Sequence, residues 1–403
     1  MNDTLLSAIE TLNNKKTAPF CAYIYDLDGI QAHVRQMRQT LPKQTYLFYA
    51  IKANPDQRII KALLPFIHGF EVASIGELLS VRAMSKQVPI LFGGPGKKDA
   101  ELELAIRQKV SYIHVESLLE LQRIQILAQK LNEKVNILLR INLRTNALPK
   151  TKITMGGIPS PFGLDESDIH RAIAIVKEDP HHLVQIKGFH FHSLSNNVHA
   201  AIHAEMVQLY VQKALEWQRL YNLELRILNA GGGFGVSYNE APSFDWQQFS
   251  SLLQASNIWQ DIKGIQLFFE PGRYLVADYG FYATEIIDIK KSHQQYFAVV
   301  RGGTHHNRLP SSWGHNQPFQ LYTSDTWPYT FQRPNFQNIK VNIVGELCTP
   351  KDRLHTDAYV SAISVGDIII FEKSGAYCWT ISHHDFLGHP HPAFYYIEGG
   401  QVR

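Results

Sequence analysis

The stretch "TYLFYAIKANPDQRIIKALLPF" (45–66) decides how the fold is read. Its first six residues are apolar, aromatic or β-branched, as in a buried strand, and its last eleven repeat apolar positions at helical spacing. Between them lie Lys52 and an Asn-Pro turn. A doubly wound open sheet would carry a glycine fingerprint at this first strand-to-helix turn, and "YAIKANP" has none. The same unit recurs. Further strands are predicted at 69–74, 88–94, 111–117, 135–142, 186–193, 225–233 and 265–272, with helix-periodic segments between most of them. Eight strands alternating with helices predict an α/β fold built on a closed (β/α)8 barrel of the TIM type.

After Arg273 the pattern changes. "YLVADYGFYATEIIDIKKS", "QYFAVVRGG", "IKVNIVGELC" and "PAFYYIEGG" read as strands parted by turns, giving a mostly-β domain of barrel or sandwich type. The expected division is an N-terminal segment 1–28, whose strand near 20–26 joins the β domain, a barrel over 29–274 and the β domain over 275–403. The stretch 142–164 is a long insertion after the fifth barrel strand, the kind of segment that forms lids or binding loops.

Composition narrows the class. With 403 residues, 45% hydrophobic and 19% charged, the chain is an ordinary globular protein, and a net charge of +3 gives no footprint for nucleic acid. No apolar run reaches membrane-spanning length, and the N-terminus lacks a signal-peptide pattern. Cys21, Cys348 and Cys378 have neither metal-type spacing nor an even count, which fits a reducing cytoplasm. Nineteen histidines are a heavy load, and many fall in the last third.

Barrel sites form at the C-terminal ends of the strands. There the sequence sets Lys52, Glu71 with Ser74 and Glu77, Arg140 with Asn142, His190, His192 and Ser195, then Gly231-Gly232-Gly233 and Glu270-Pro271-Gly272-Arg273. Three glycines after strand seven make a tight turn, and they also bare backbone N–H groups that suit a phosphate. Arg273 adds a cation beside them. A phosphate site with a strand-end lysine points to pyridoxal 5'-phosphate, joined to Lys52 as a Schiff base. Glu270 then serves the pyridine nitrogen, or else it pairs with an arginine. His190-Phe191-His192 would suit a metal hydrolase only with more ligands at later strand ends, and those ends offer glycines instead, so no metal is expected.

On these residues the chain resembles the fold-type III pyridoxal-phosphate decarboxylases, the diaminopimelate and ornithine decarboxylase family. "YAIKAN", "GFEVASIGEL", "FHFHSLS", "NAGGGFG", "EPGRYLVA", "GELCTPKD" and "SGAY" match its motifs in order over nearly the whole chain. The resemblance implies Lys52 as the cofactor lysine, His192 stacked on the ring, and Ser195, the glycines, Gly272, Arg273 and Tyr377 on the phosphate. It implies Glu270 on the ring nitrogen and Cys348 as proton donor. It further implies a homodimer with shared sites, in which Cys348 reaches the partner's cofactor.

Where diaminopimelate and ornithine decarboxylases follow the cysteine with an acid, this chain has Thr349. A hydroxyl cannot offset a distal ammonium. The loop 301–319 offers His305, His306, Arg308, Trp313 and His315 instead, groups suited to a carboxylate-rich substrate if they line the pocket. With the tail "SHHDFLGHPHPAFYYI", the chain looks most like the branch that makes carboxylate siderophores. The expected reaction is loss of the α-carboxylate from an amino acid or its citrate-type conjugate. Alternatives are decarboxylation of diaminopimelate, ornithine or lysine, amino-acid racemisation, and a silent regulatory homologue.

Overall fold

A computed structural model of the chain describes residues 3–16, 18–144, 157 and 159–403. Most of the insertion after the fifth barrel strand lies outside these residues. The chain divides into two compact units, Met1–Ala32 with Ser237–Ala241 and Val276–Arg403, and His33–Val236 with Pro242–Leu275. The short segment Ser237–Ala241, assigned to the barrel on sequence, groups with the β unit. Its backbone carbonyl at Ser237 accepts from the Lys373 ammonium, and the Tyr238 ring packs 4.6 Å from that of His315.

In chain order the strands are β1 (Cys21–Asp26), β2 (Thr45–Ala50), β3 (Gly69–Val72), β4 (Ile90–Phe92), β5 (Tyr112–Val115) and β6 (Val135–Asn142). β7 (Leu164–Asp165) pairs only with the end of β6, and β8 (Val184–His190), β9 (Ile227–Asn229) and β10 (Gln266–Phe269) follow. All neighbours from β2 to β10 are parallel, in the order β5-β4-β3-β2-β10-β9-β8-β6, and β5 pairs with β6 to close the ring. Eight strands thus make the closed barrel that the alternating pattern predicts. Phe48, Leu91, Leu138, Ile227 and Phe268 pack together as a buried cluster of its strands, removing large apolar groups from water.

The strand ends are fixed by local chemistry. Asp56 caps the helix Gln57–Leu63, accepting from the N–H groups of Arg58 at 2.8 Å and Ile59 at 3.3 Å. Ser74 and Ser117 cap the helices Ile75–Met84 and Leu118–Leu131 in the same way, accepting from Glu77 and Glu120 N–H. The Ser-x-x-Glu spacing lets each glutamate reach back, Glu77 to the Ala73 N–H at 2.7 Å and Glu120 to the Glu116 N–H at 2.9 Å. Each such cap contributes about 1 kcal/mol and sets where the preceding strand stops.

The other unit is a sheet in the order β15-β14-β12-β11-β1-β17-β18, with β16 pairing β11 and β13. Its strands are β11 (Gly280–Ser292), β12 (Gln295–Val300), β13 (Phe319–Tyr322), β14 (Asn335–Val344), β15 (Arg353–Ser364), β16 (Ile368–Phe371), β17 (Ala393–Glu398) and β18 (Gln401–Val402). β1 lies between β11, to which it is antiparallel, and β17, to which it is parallel. Leu5, Ala8 and Ile9 of the first helix, Asp3–Asn14, pack with Phe20, Ile24, Ile368 and Ile370 into this unit's core. Among the described residues no helix is long and apolar enough to cross a membrane.

Candidate active site

Lys52 lies just past the end of β2, in a single 3-10 turn, Ile51–Ala53. Its side chain is 41% exposed, and Nζ is 3.0 Å from Glu71 Oε2 at the end of β3. Glu71 is buried, which raises its pKa, and the Lys52 charge pulls it back down. Exposure alone would fit a surface lysine. The buried carboxylate partner does not. Glu77 has a different part from the one its position suggested: it caps the helix, and burial raises its pKa.

At the ends of β9 and β10, Glu270 is buried on a polar floor. Asn229 Nδ2 donates to its Oε1 at 2.6 Å, while His114 Nε2 of β5 is 3.7 Å from Oε1 and His190 Nε2 is 3.3 Å from Oε2. No arginine or lysine pairs with it among the described residues, so the alternative of an Arg ion pair is set aside. The two imidazoles stack, with centroids 4.0 Å apart and planes 17° apart. Burial holds His114, His190 and His192 well below the usual histidine pKa, and the Arg140 charge adds to the shift. The nitrogen and oxygen atoms of His114, His190 and Glu270 come within 4.8 Å of one another. A cation among them would be opposed by the Asn229 N–H that already points at Oε1.

The glycine run has no room for side chains. A Cβ on Gly231, Gly232 or Gly233 would fall 2.4, 2.3 or 2.4 Å from the carbonyl oxygens of Phe191, Glu270 and Leu194. Gly231 and Gly233 also have φ of +70° and +91°, which favours glycine. The tight-turn reading of the run therefore has a basis here. Two of its N–H groups have partners within the chain: Gly231 donates to Asn229 Oδ1 at 2.9 Å and Gly232 to His192 Nδ1 at 3.1 Å. The second bond fixes His192 with its proton on Nε2. Arg273 is buried directly after β10, and Ser195 is half-buried beyond β8. Gly272 lets the chain pass close to β2, since a Cβ there would be 3.1 Å from that of Ala53.

Several polar residues of this rim were not singled out on sequence. Glu116 accepts from Arg140 Nη1 at 2.9 Å, from Gly94 N–H at 2.8 Å and from Gly163 N–H at 3.1 Å, joining three loops. Lys97 and Glu120 form a buried pair at 2.6 Å. His114, Asn229, Glu116 and Lys97 sit within or beside the predicted strands. Their only signal was a polar residue where the barrel pattern calls for core.

In the β unit, Cys348 is exposed, whereas Cys21 and Cys378 are buried and burial raises the Cys21 thiol to about 11. Tyr377 has a left-handed backbone, φ +56°. His305 and His306 are fully buried rather than on a solvated loop, while Arg308 and Trp313 are exposed and His315 is half-buried. Asp352 fastens this loop to the Cys348 segment by accepting from the Thr304 N–H at 2.6 Å and the Leu347 N–H at 2.9 Å. Glu346, two residues before Cys348, accepts from the Gly302 N–H at 2.7 Å and lies 3.9 Å from His305 Nε2 and 3.7 Å from His389 Nδ1. Both ring nitrogens of His305 and both amide atoms of Asn307 are buried with no hydrogen-bond partner among the described residues. Thr349 is half-buried and its hydroxyl accepts from the Lys351 N–H at 3.3 Å.

Residues 27–277 match the model of the pyridoxal-dependent decarboxylase family, pyridoxal binding domain. The chain belongs to this family. It is 41% identical, over 94% of each chain, to 2-[(L-alanin-3-ylcarbamoyl)methyl]-2-hydroxybutanedioate decarboxylase of Staphylococcus aureus. It is 32% identical to L-glutamyl-[BtrI acyl-carrier protein] decarboxylase of Niallia circulans, over 95% of this chain and 90% of the relative. The fold matches that of diaminopimelate decarboxylase from Helicobacter pylori complexed with L-lysine, with a TM-score of 0.86 and 26% identity over 98% and 95% of the two chains. This protein is a carboxy-lyase whose cofactor is pyridoxal phosphate. The barrel rim fits such a group: an amine, a side-chain-free backbone turn, a flat imidazole and a buried carboxylate face one end of the barrel.

Proposed function

We propose that the enzyme removes the α-carboxylate of an amino acid joined to citrate or a similar hydroxy-acid, in the making of a carboxylate siderophore. The observation that carries the substrate class is the 41% identity, over nearly the whole length, to a decarboxylase whose substrate name describes such a conjugate. Thr349 supports it from this chain, because the residue after Cys348 offers no charge for a distal ammonium. His305, His306, Arg308, Trp313 and His315 are the candidate contacts for the far carboxylates. Both His305 ring nitrogens lack a hydrogen-bond partner among the described residues, although the side chain is fully buried and Nε2 lies 3.9 Å from Glu346.

In this reading Lys52 is the amine that carries the cofactor, and Glu71, 3.0 Å from its nitrogen, positions it. Pyridoxal phosphate, when bound, supplies an electron sink for the charge left at the α-carbon as CO₂ leaves. Gly231, Gly232, Gly233, Gly272, Ser195, Arg273 and Tyr377 bind its phosphate, and His192 lies against its ring face. Glu270 holds the proton of its ring nitrogen. Cys348 returns a proton to the α-carbon, reaching the site of a partner protomer in a homodimer. A cytoplasmic location goes with three cysteines that form no disulfide.

The test is a substrate panel with CO₂ release as the readout. A citrate-amide conjugate of an amino acid should be turned over efficiently, and free diaminopimelate, ornithine and lysine poorly. Comparable kcat/KM on diaminopimelate would overturn the substrate assignment. Racemised product that keeps its α-carboxylate would replace the reaction itself.

A further inference from the structure

The floor of the barrel holds a buried carboxylate, Glu270, with the imidazoles of His114 and His190 3.7 and 3.3 Å from its oxygens. The hydrogen bonds there run in one direction. Gly231 N–H donates to Asn229 Oδ1, which orients the amide so that Nδ2 faces Glu270 Oε1 at 2.6 Å. The same Nδ2 lies 3.4 Å from His114 Nε2, so its second hydrogen points at a ring nitrogen that accepts. His114 is then a neutral ring with its proton on Nδ1. It also lies flat on His190, whose Nε2 faces the other carboxylate oxygen.

Burial keeps both rings neutral, and nearby cations add to it. Arg140 and Lys97 lower both imidazoles and Lys52 lowers His190, while Glu270 is the acid that faces them and Glu71 and Glu116 hold Lys52 and Arg140. A proton drawn to Glu270 therefore has no basic histidine to go to. A ring nitrogen brought in by a ligand can take it.

We propose that His114 is a positioning residue: through Asn229 and its stack on His190 it fixes Glu270 toward the ring nitrogen of pyridoxal phosphate and so sets that nitrogen's proton affinity. The inference rests on the reading that Glu270 serves the ring nitrogen. It concerns a residue that touches neither cofactor nor substrate in that reading, and that the motifs did not mark.

The experiment loads the full-length enzyme with cofactor labelled with nitrogen-15 in the ring and follows that resonance against pH. In His114→Leu the ring nitrogen should lose its proton about one pH unit lower than in the wild type. Cofactor affinity should weaken several-fold, and kcat should fall more than KM rises. His114→Gln, which keeps a polar atom near Asn229, should recover most of the shift. An unchanged nitrogen titration in a folded His114→Leu, even with a lower Tm, would overturn the proposal by leaving a packing role only. If His114→Leu does not fold, Asn229→Ser must give the same shift, and no shift there overturns it equally. Glu270→Gln separates the two levels. If it too leaves the nitrogen unmoved, the reading of Glu270 has failed and not merely that of His114.

Discussion

Two buried polar clusters in this protein are satisfied to different degrees. On the barrel floor, Glu270 and Asn229 satisfy each other and the amide reaches on to Gly231 and His114, while both ring nitrogens of His190 find no hydrogen-bond partner among the described residues. In the β unit, His305 and Asn307 are just as buried, yet their side-chain nitrogens and the Asn307 oxygen find no partner among the described residues. A buried polar group without a hydrogen bond costs about 1–3 kcal/mol, so such a cluster persists where something else is gained. The difference is between a floor whose carboxylate and amide hold each other in place and a buried cluster whose side chains hold no such bond.

The largest effect expected is on the barrel side. Lys52→Ala should abolish both turnover and the visible absorption of bound pyridoxal phosphate, and a variant that kept its colour and activity would remove the barrel rim from the chemistry. Cys348→Ala should keep the colour but lower turnover by about 10²–10⁴-fold, measured as CO₂ release. Mixing these two inactive variants should restore about a quarter of wild-type activity if protomers exchange and sites are shared across a two-fold interface. No recovery from exchanged subunits would confine each site to one chain.

His305→Leu probes the other cluster directly. With the unsatisfied nitrogens gone, Tm should hold or rise, while KM for the citrate-amide conjugate should rise about tenfold, as expected for a lost hydrogen bond to a charged group. A loss of stability with no change in KM would make the cluster part of the scaffold. The smallest effect is on stability against pH, and it reaches both clusters and His203, buried in the helix Ala200–Tyr221. His203 and His305 are depressed by burial to about 3 and about 4, and His114 and His190 also lie below their unfolded value. The unfolded chain takes up these protons first. Stability should be complete above the ordinary histidine range, near ~6.5, and fall as pH drops from there toward about 4 and below. A Tm flat across that window would mean that these rings protonate freely in the folded state.

The sequence by itself determined the parts with a local signature. Strand-then-helix periodicity set the barrel, Lys52 stood out as a charge at a strand end, and the glycine run follows from short-range backbone geometry. Cys348 needed its flanking motif. The tertiary structure decided what depends on closure of the ring. His114, Asn229 and Glu270 come from β5, β9 and the end of β10, and His114 looks on sequence like any core histidine in "SYIHVES". Glu77 could be a site acid on sequence and is a helix cap in the fold. His305 and His306 read as a polar loop until the strands around them bury it. Partners far apart along the chain leave no periodic trace, because side-chain contact is fixed by packing and not by spacing.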